Sequence, residues 1–161
     1  MSKIKKSNRL PFIFFIIFVL FSFASIAIVN VTNLEDYVVA DVLQVSENTV
    51  LLGNNCTAII SDTSPERAQA IQTGIKGVID QRPNTYDIFA ETLRSFNITL
   101  EYVTLDSFVN GTYYANLYLS STNKILKIDV KPSDGIALAL RTNSTIYINR
   151  TLLQEIGKNI C

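Results

Sequence analysis

Residues 98–130 read ITLEYVTLDSFVNGTYYANLYLSSTNKILKIDV, which contains three β-branched and aromatic runs in succession: ITLEYVTLD, TYYANLYLS and KILKIDV. Such runs form strands because branched and ring side chains pack well on a pleated surface. Asn110-Gly111 separates the first two. A type I′ turn needs two consecutive residues of positive φ, which Asn-Gly supplies, so this pair predicts an antiparallel hairpin. Residues 112–120 alternate, placing Tyr114, Asn116, Tyr118 and Ser120 on one face. An antiparallel sheet is therefore the frame against which the remaining segments must pack.

Working outward, Pro132-Ser133-Asp134 opens a short helix whose GIALALR is nearly all apolar and hence predicted to be buried. TIYI at 145–148 reads as a last strand, and Asn149 caps a final helix to about Ile156. Upstream, YVVADVLQV at 37–45, TVLL at 49–52 and TAII at 57–60 form a small meander, divided by Ser-Glu-Asn and Gly-Asn-Asn turn signals. The period then changes. Thr63-Ser64-Pro65-Glu66 is a capping box with Pro in the first turn, and Ala68, Ile71, Ile75 and Val78 recur at helical spacing. Arg82-Pro83 stops that helix, and Asn84 or Thr85 caps a second one bearing Ile88, Phe89, Leu93 and Phe96 as a stripe. The order βββααβββαβα predicts an α+β domain with a mainly antiparallel sheet across residues 37–161.

Leu10 to Val31 carries no charge. As a helix it rises about 33 Å, enough to cross a hydrocarbon core of about 30 Å. Lys3, Lys5, Lys6 and Arg9 precede the run, while Glu35 and Asp36 follow it. The positive-inside rule then predicts a single-pass cell-membrane protein: a cytosolic basic tail at 1–9, a span at 10–31, a juxtamembrane linker at 32–36 and the folded domain outside. The alternative is a cleaved signal peptide with Ser25-Ile26-Ala27 at the cleavage site; the apolar run continues beyond Ala27, which favours the anchor.

Composition narrows the chemistry further. The 161 residues include no histidine, which removes imidazole bases and histidine-ligated zinc. Two cysteines cannot build a thiolate zinc site. After Thr32 the chain holds 10 basic and 14 acidic residues, so nucleic-acid binding would rely on local cations or a metal ion rather than on overall charge. Asn-x-Thr triplets begin at Asn30, Asn55, Asn97, Asn110, Asn143 and Asn149, where chance gives about one, and they read as glycan acceptors on loops of an exported domain. The competing reading is that Asn and Thr are simply turn and strand formers. Outside the membrane Cys56 and Cys161 can form an intramolecular disulfide, pair with another chain, or stay free.

The stretch from Glu66 to Gly157 resembles the bifunctional nuclease family. Four blocks in order carry the resemblance: Glu66-Arg67-Ala68-Gln69-Ala70-Ile71, Arg82-Pro83-Asn84-Thr85-Tyr86-Asp87, Asn110-Gly111-Thr112-Tyr113-Tyr114-Ala115, and Asp129 through Arg141, DVKPSDGIALALR. The resemblance implies an α+β fold, DNase and RNase activity on DNA or RNA, and a homodimer. Two positions depart from the family pattern. Members carry Thr-His-Asp where this chain has Thr85-Tyr86-Asp87, which removes a titrating group, and Arg-Pro-Ser-Asp where it has Lys131-Pro132-Ser133-Asp134. Lys keeps the charge and loses bidentate phosphate recognition.

Without histidine, phosphodiester hydrolysis is most simply served by carboxylate-bound Mg²⁺ or Mn²⁺. Asp87 and Glu91 lie four apart on one helical face, Asp129 and Lys131 share one side of a strand, and Asp134 starts the next helix. Packing of the Arg82 and Lys131 blocks against each other would assemble metal ligands Asp87, Glu91, Asp129 and Asp134. Asp87, Glu91 and Asp134 are then the catalytic candidates, and Arg82, Tyr86, Lys131 and Arg141 the substrate contacts. The rival reading makes Asp87 and Asp134 helix-terminal carboxylates, one of them in a buried pair with Arg82 or Arg141, within a non-catalytic surface binding or assembly module.

Overall fold

The computed structural model describes residues 33–161. The apolar run at 10–31, the basic tail and the Asn30 triplet lie outside the described residues, and among those residues no helix is long and apolar enough to cross a membrane. The compact unit begins at Asn33, where a linker was expected to run to residue 36. Leu34–Asp36 instead forms a 3₁₀ turn, because the Asn33 side chain accepts from the Glu35 amide and caps it.

Eight strands and four helices follow: β1 Tyr37–Val45, β2 Thr49–Asn54, β3 Thr57–Asp62, α1 Pro65–Lys76, α2 Thr85–Ser95, β4 Thr99–Val109, β5 Thr112–Ser121, β6 Lys124–Val130, α3 Pro132–Thr142, β7 Thr145–Asn149, α4 Arg150–Ile156 and β8 Lys158–Asn159. The order matches the expected α+β pattern with the short β8 added. All strands join one sheet in the order β6-β5-β4-β7-β1-β2-β3-β8. Every neighbouring pair is antiparallel except β4 with β7, which is parallel. That one parallel pair joins the two meanders, since β7 lies between β4 and β1.

The helix α3 is central to the fold. Gly135, Ile136, Ala137, Leu138 and Ala139 are all buried, and the helix packs on α1 and α2 on one side and on β4 and β5 on the other. A Cβ at Gly135 would stand 3.0 Å from Val103 Cγ1, so glycine allows the first turn to rest directly on the sheet. On β5, Ala115, Leu117 and Leu119 point to this core, while Tyr118 points to the opposite face and stacks on Tyr102, with ring centres 4.5 Å apart. Cys56 and Cys161 are joined by a disulfide.

Candidate functional site

Three helix N-termini and their caps build the site. The Asn84 side chain accepts from the amides of Tyr86 and Asp87, at 2.9 and 3.1 Å, while Asp87 Oδ2 accepts from the Asn84 amide at 2.8 Å. This capping box fixes the Asp87 carboxylate at the start of α2. Its other oxygen, Oδ1, accepts from Arg141 Nε at 2.5 Å. Arg141 also donates Nη1 to the carbonyls of Ala70 and Ala137, both at 2.9 Å, and Nη2 to Thr73 Oγ1 at 3.1 Å. A Cβ at Gly74 would stand 2.9 Å from Nη1, so the glycine makes room for the guanidinium against α1. The Arg141 and Asp87 side chains are only 7% and 6% exposed. Arg141 therefore ties α1, α2 and α3 together in a buried network whose charges are matched by hydrogen bonds.

A second carboxylate lies above this network, in an open cleft of about 630 Å³ lined by Ser64, Arg67, Asn84, Tyr86, Phe89 and Asp134 among others. Asp134, in the first turn of α3, accepts at Oδ1 from Arg67 Nε at 3.0 Å and from the Tyr86 hydroxyl at 2.5 Å. The Arg67 and Asp134 side chains are 34% and 28% exposed, so solvent and a ligand can reach them. Burial, together with the hydrogen bond to Asp134 and its negative charge, pushes the Tyr86 hydroxyl from the usual 10.0 up to about 12. It stays protonated and donates to Asp134 at neutral pH. The Arg141 guanidinium lies 5.5 Å from the centre of the Tyr86 ring, so Tyr86 bridges the buried network and the cleft.

The sequence profile of the bifunctional nuclease domain matches residues 63–160. The chain belongs to this family. An uncharacterized protein of Mycobacterium tuberculosis is 31% identical over 90 residues, 56% of this chain and 53% of that protein. Bifunctional nuclease 1 of Oryza sativa subsp. japonica is 28% identical over 82 residues, 49% of this chain and 25% of that protein. Bifunctional nuclease 1 of Arabidopsis thaliana is 26% identical over 133 residues, 80% of this chain and 39% of that protein. The chain thus spans about half the length of the mycobacterial relative it matches.

Within this bifunctional nuclease domain the residues proposed from sequence separate. Tyr86 and Asp134 meet in the cleft, as just described. Asp87 and Arg141 meet each other instead, below its surface, because the α2 cap and the Arg141 hydrogen bonds use their polar atoms. Glu91 is exposed on the outer face of α2 and pairs with Arg94 one turn on. Asp129 and Lys131 do not share a strand face. Ile128 and Val130 pack into the core, so Asp129 between them points to the opposite side, whereas Lys131 is past the strand at the N-cap of α3. Arg82 is exposed in the α1–α2 connection. The four-carboxylate metal centre therefore does not assemble: among the described residues no three His, Cys, Asp or Glu side chains are grouped to hold a metal ion. The donor set does not fit a protein-built Mg²⁺ or Mn²⁺ cage.

Sequence reasoning missed Arg67. The signal was present in its spacing, because Arg67, Ala70 and Gly74 recur on one side of α1. Ala70 and Gly74 are small and buried, so this side lies close to α3, and Arg67 extends from it to Asp134.

Proposed function

We propose that the chain is a membrane-anchored, outward-facing domain that hydrolyses phosphodiester bonds of DNA or RNA in the Arg67–Asp134–Tyr86 cleft. The observation that carries the reading is the convergence of these three side chains, from three different helices, at a solvent-reachable point in a bifunctional nuclease fold. Arg67 donates Nε to Asp134 and also interacts with the Tyr86 hydroxyl; with five N–H donors, a guanidinium so placed keeps others for a phosphate oxygen. Asp134, with Oδ1 held by two donors, is positioned to take a proton through Oδ2 from the water that attacks phosphorus, and the nucleotide oxygen displaced as the P–O bond breaks takes a proton from solvent. Tyr86 orients that carboxylate and, as a neutral phenol, adds no negative charge to repel the phosphate. The apolar run at 10–31 and its basic flank support the anchor and its orientation.

The test is cleavage of plasmid DNA and RNA by the full chain, alone, with Mg²⁺ or Mn²⁺, and with chelator. Arg67→Ala and Asp134→Asn should each lower cleavage at least tenfold, about 1.4 kcal/mol of transition-state stabilisation. Persistence of wild-type cleavage in both variants would move the chemistry elsewhere; no cleavage under any condition would favour the non-catalytic surface module. The acidic net charge of the exported part and the tyrosine at the histidine position of the family pattern are the two observations on the side of that second reading.

A further inference from the structure

A second cavity, of about 300 Å³, adjoins the cleft, and Arg67 lines both. Its floor is apolar, with Leu52, Ile59 and Leu105, and the half-buried Tyr113 ring forms part of its wall. Its rim is polar and includes Thr112, Ser133 and Lys131. The rim comes from three separate parts of the chain, the tip of the β4–β5 hairpin, the start of α3 and the end of β3, where Asp62 adds one acidic group to the Lys131 and Arg67 cations.

We infer that this cavity holds one base of a single-stranded nucleic acid whose adjacent phosphate lies on Arg67; the inference rests on the nuclease reading above and names its substrate class. Ligand pockets run from about 300 to 1,000 Å³, so this one has room for a single flat aromatic group and not for an oligomer. An apolar floor with an aromatic wall suits the faces of a base, and hydroxyl and ammonium groups at the mouth suit its sugar and phosphate. Neither wall repeats along the chain, so one nucleotide is taken and its neighbours run outward past Arg67. A base paired inside a duplex cannot enter, because it would first have to leave the stack. Selection for single strands thus follows from the cavity having room for one unstacked base and no more.

Binding of three labelled probes of equal length to the full chain tests this: single-stranded DNA, the same sequence as duplex, and an abasic oligomer with the same phosphates and no bases. The single strand is expected to bind at least tenfold tighter than either of the others. Thr112→Leu, which crowds the exposed mouth with a branched chain that cannot stack on a base, should remove that preference, and Thr112→Ser should keep it. Far-UV circular dichroism and the urea midpoint report whether the variant is folded. Equal binding of single-stranded and abasic probes, or an undiminished preference in folded Thr112→Leu, would overturn the base pocket. The nuclease reading would survive that result if Arg67→Ala still weakened all three probes. Absence of binding to every probe would overturn both.

Discussion

Asp87 and Asp134 are the same residue type in the same helical position, each facing an arginine, yet their surroundings assign them different work. Asp87 and Arg141 are almost fully enclosed, and removing one member of a buried pair leaves the other charge uncompensated, at about 3–5 kcal/mol. Asp87→Asn should therefore lower the unfolding free energy in urea by about that amount. Asp134→Asn, in a partly exposed pair, should change it by less than about 1 kcal/mol. Equal losses would show that both carboxylates belong to the scaffold. Tyr86 adds a pH signature. Its folded-state pKa, raised to about 12, exceeds the ordinary 10.0. The unfolded chain then loses this proton first as pH rises, and the contribution of Tyr86 to stability is full below pH 10 and lost as pH climbs from 10 through about 12. Tyr86→Phe should flatten the fall in melting temperature across that window; identical slopes would mean the hydroxyl is not held as described. Sequence placed Asp134 and Tyr86 in the site, because helix starts and family blocks are local. It could not tell a cleft carboxylate from a buried one, since that depends on which arginine arrives from another helix.

At the level of elements, the Asn-x-Thr triplets have a backbone cause. Asn55, Asn97, Asn110 and Asn143 have φ of 51°, 54°, 50° and 56°, and among the described residues they are all the non-glycine positions with positive φ. The threonine two residues on opens β3, β4, β5 and β7 in turn. Each of these four triplets is thus a left-handed turn residue followed by a β-branched strand starter, whereas Asn149, at φ −57°, caps α4 by accepting from the Leu152 amide and has its Thr151 inside that helix. The abundance of triplets needs no glycan to explain it, and attachment at the exposed Asn97 or Asn110 is a separate proposal, read by the mass of those peptides from native material. Asn97→Ala, in protein made without glycosylation, should be destabilised by about 1–2 kcal/mol, and Asn97→Gly by much less, because a Cβ without a compensating polar group disfavours this conformation. An alanine variant as stable as wild type would remove the backbone explanation. The same local signals made the element order legible, and the Asn110-Gly111 hairpin closes as its turn chemistry requires. The parallel β4–β7 pairing was not legible: TIYI shows that residues 145–148 form a strand, but nothing in it specifies the partner.

At the scale of the whole molecule, the Cys56–Cys161 bond decides how the last residues are held. Its two cysteines are 105 residues apart, and closing a loop of about 100 residues constrains the unfolded chain by up to about 4.7 kcal/mol in the chain-entropy account, with measured disulfides typically nearer 2–4. In the folded state the bond keeps β8 against the edge of β3, where Thr57 pairs with Asn159 and Ala58 with Lys158, and the Ile160 amide donates to the Cys56 carbonyl at 2.9 Å. A two-residue strand has too few hydrogen bonds to remain paired by itself. The helix before it is anchored differently, since Leu152 and Leu153 of α4 are buried. Reduction should therefore act in two separable ways. Global stability should fall by about 2–4 kcal/mol, seen as a lower urea midpoint with a somewhat steeper slope, because the reduced unfolded chain is less constrained and exposes more surface. Amide exchange should accelerate sharply near Thr57–Ala58 and Lys158–Cys161 while α4 and the β4–β5 hairpin keep their protection. Cys161→Ser should reproduce both effects without reductant. If exchange rose evenly through α4 and β4 as well, the bond would be supporting the core rather than its edge. If neither stability nor exchange changed, β8 would be held by its own contacts and the disulfide would contribute nothing to the fold.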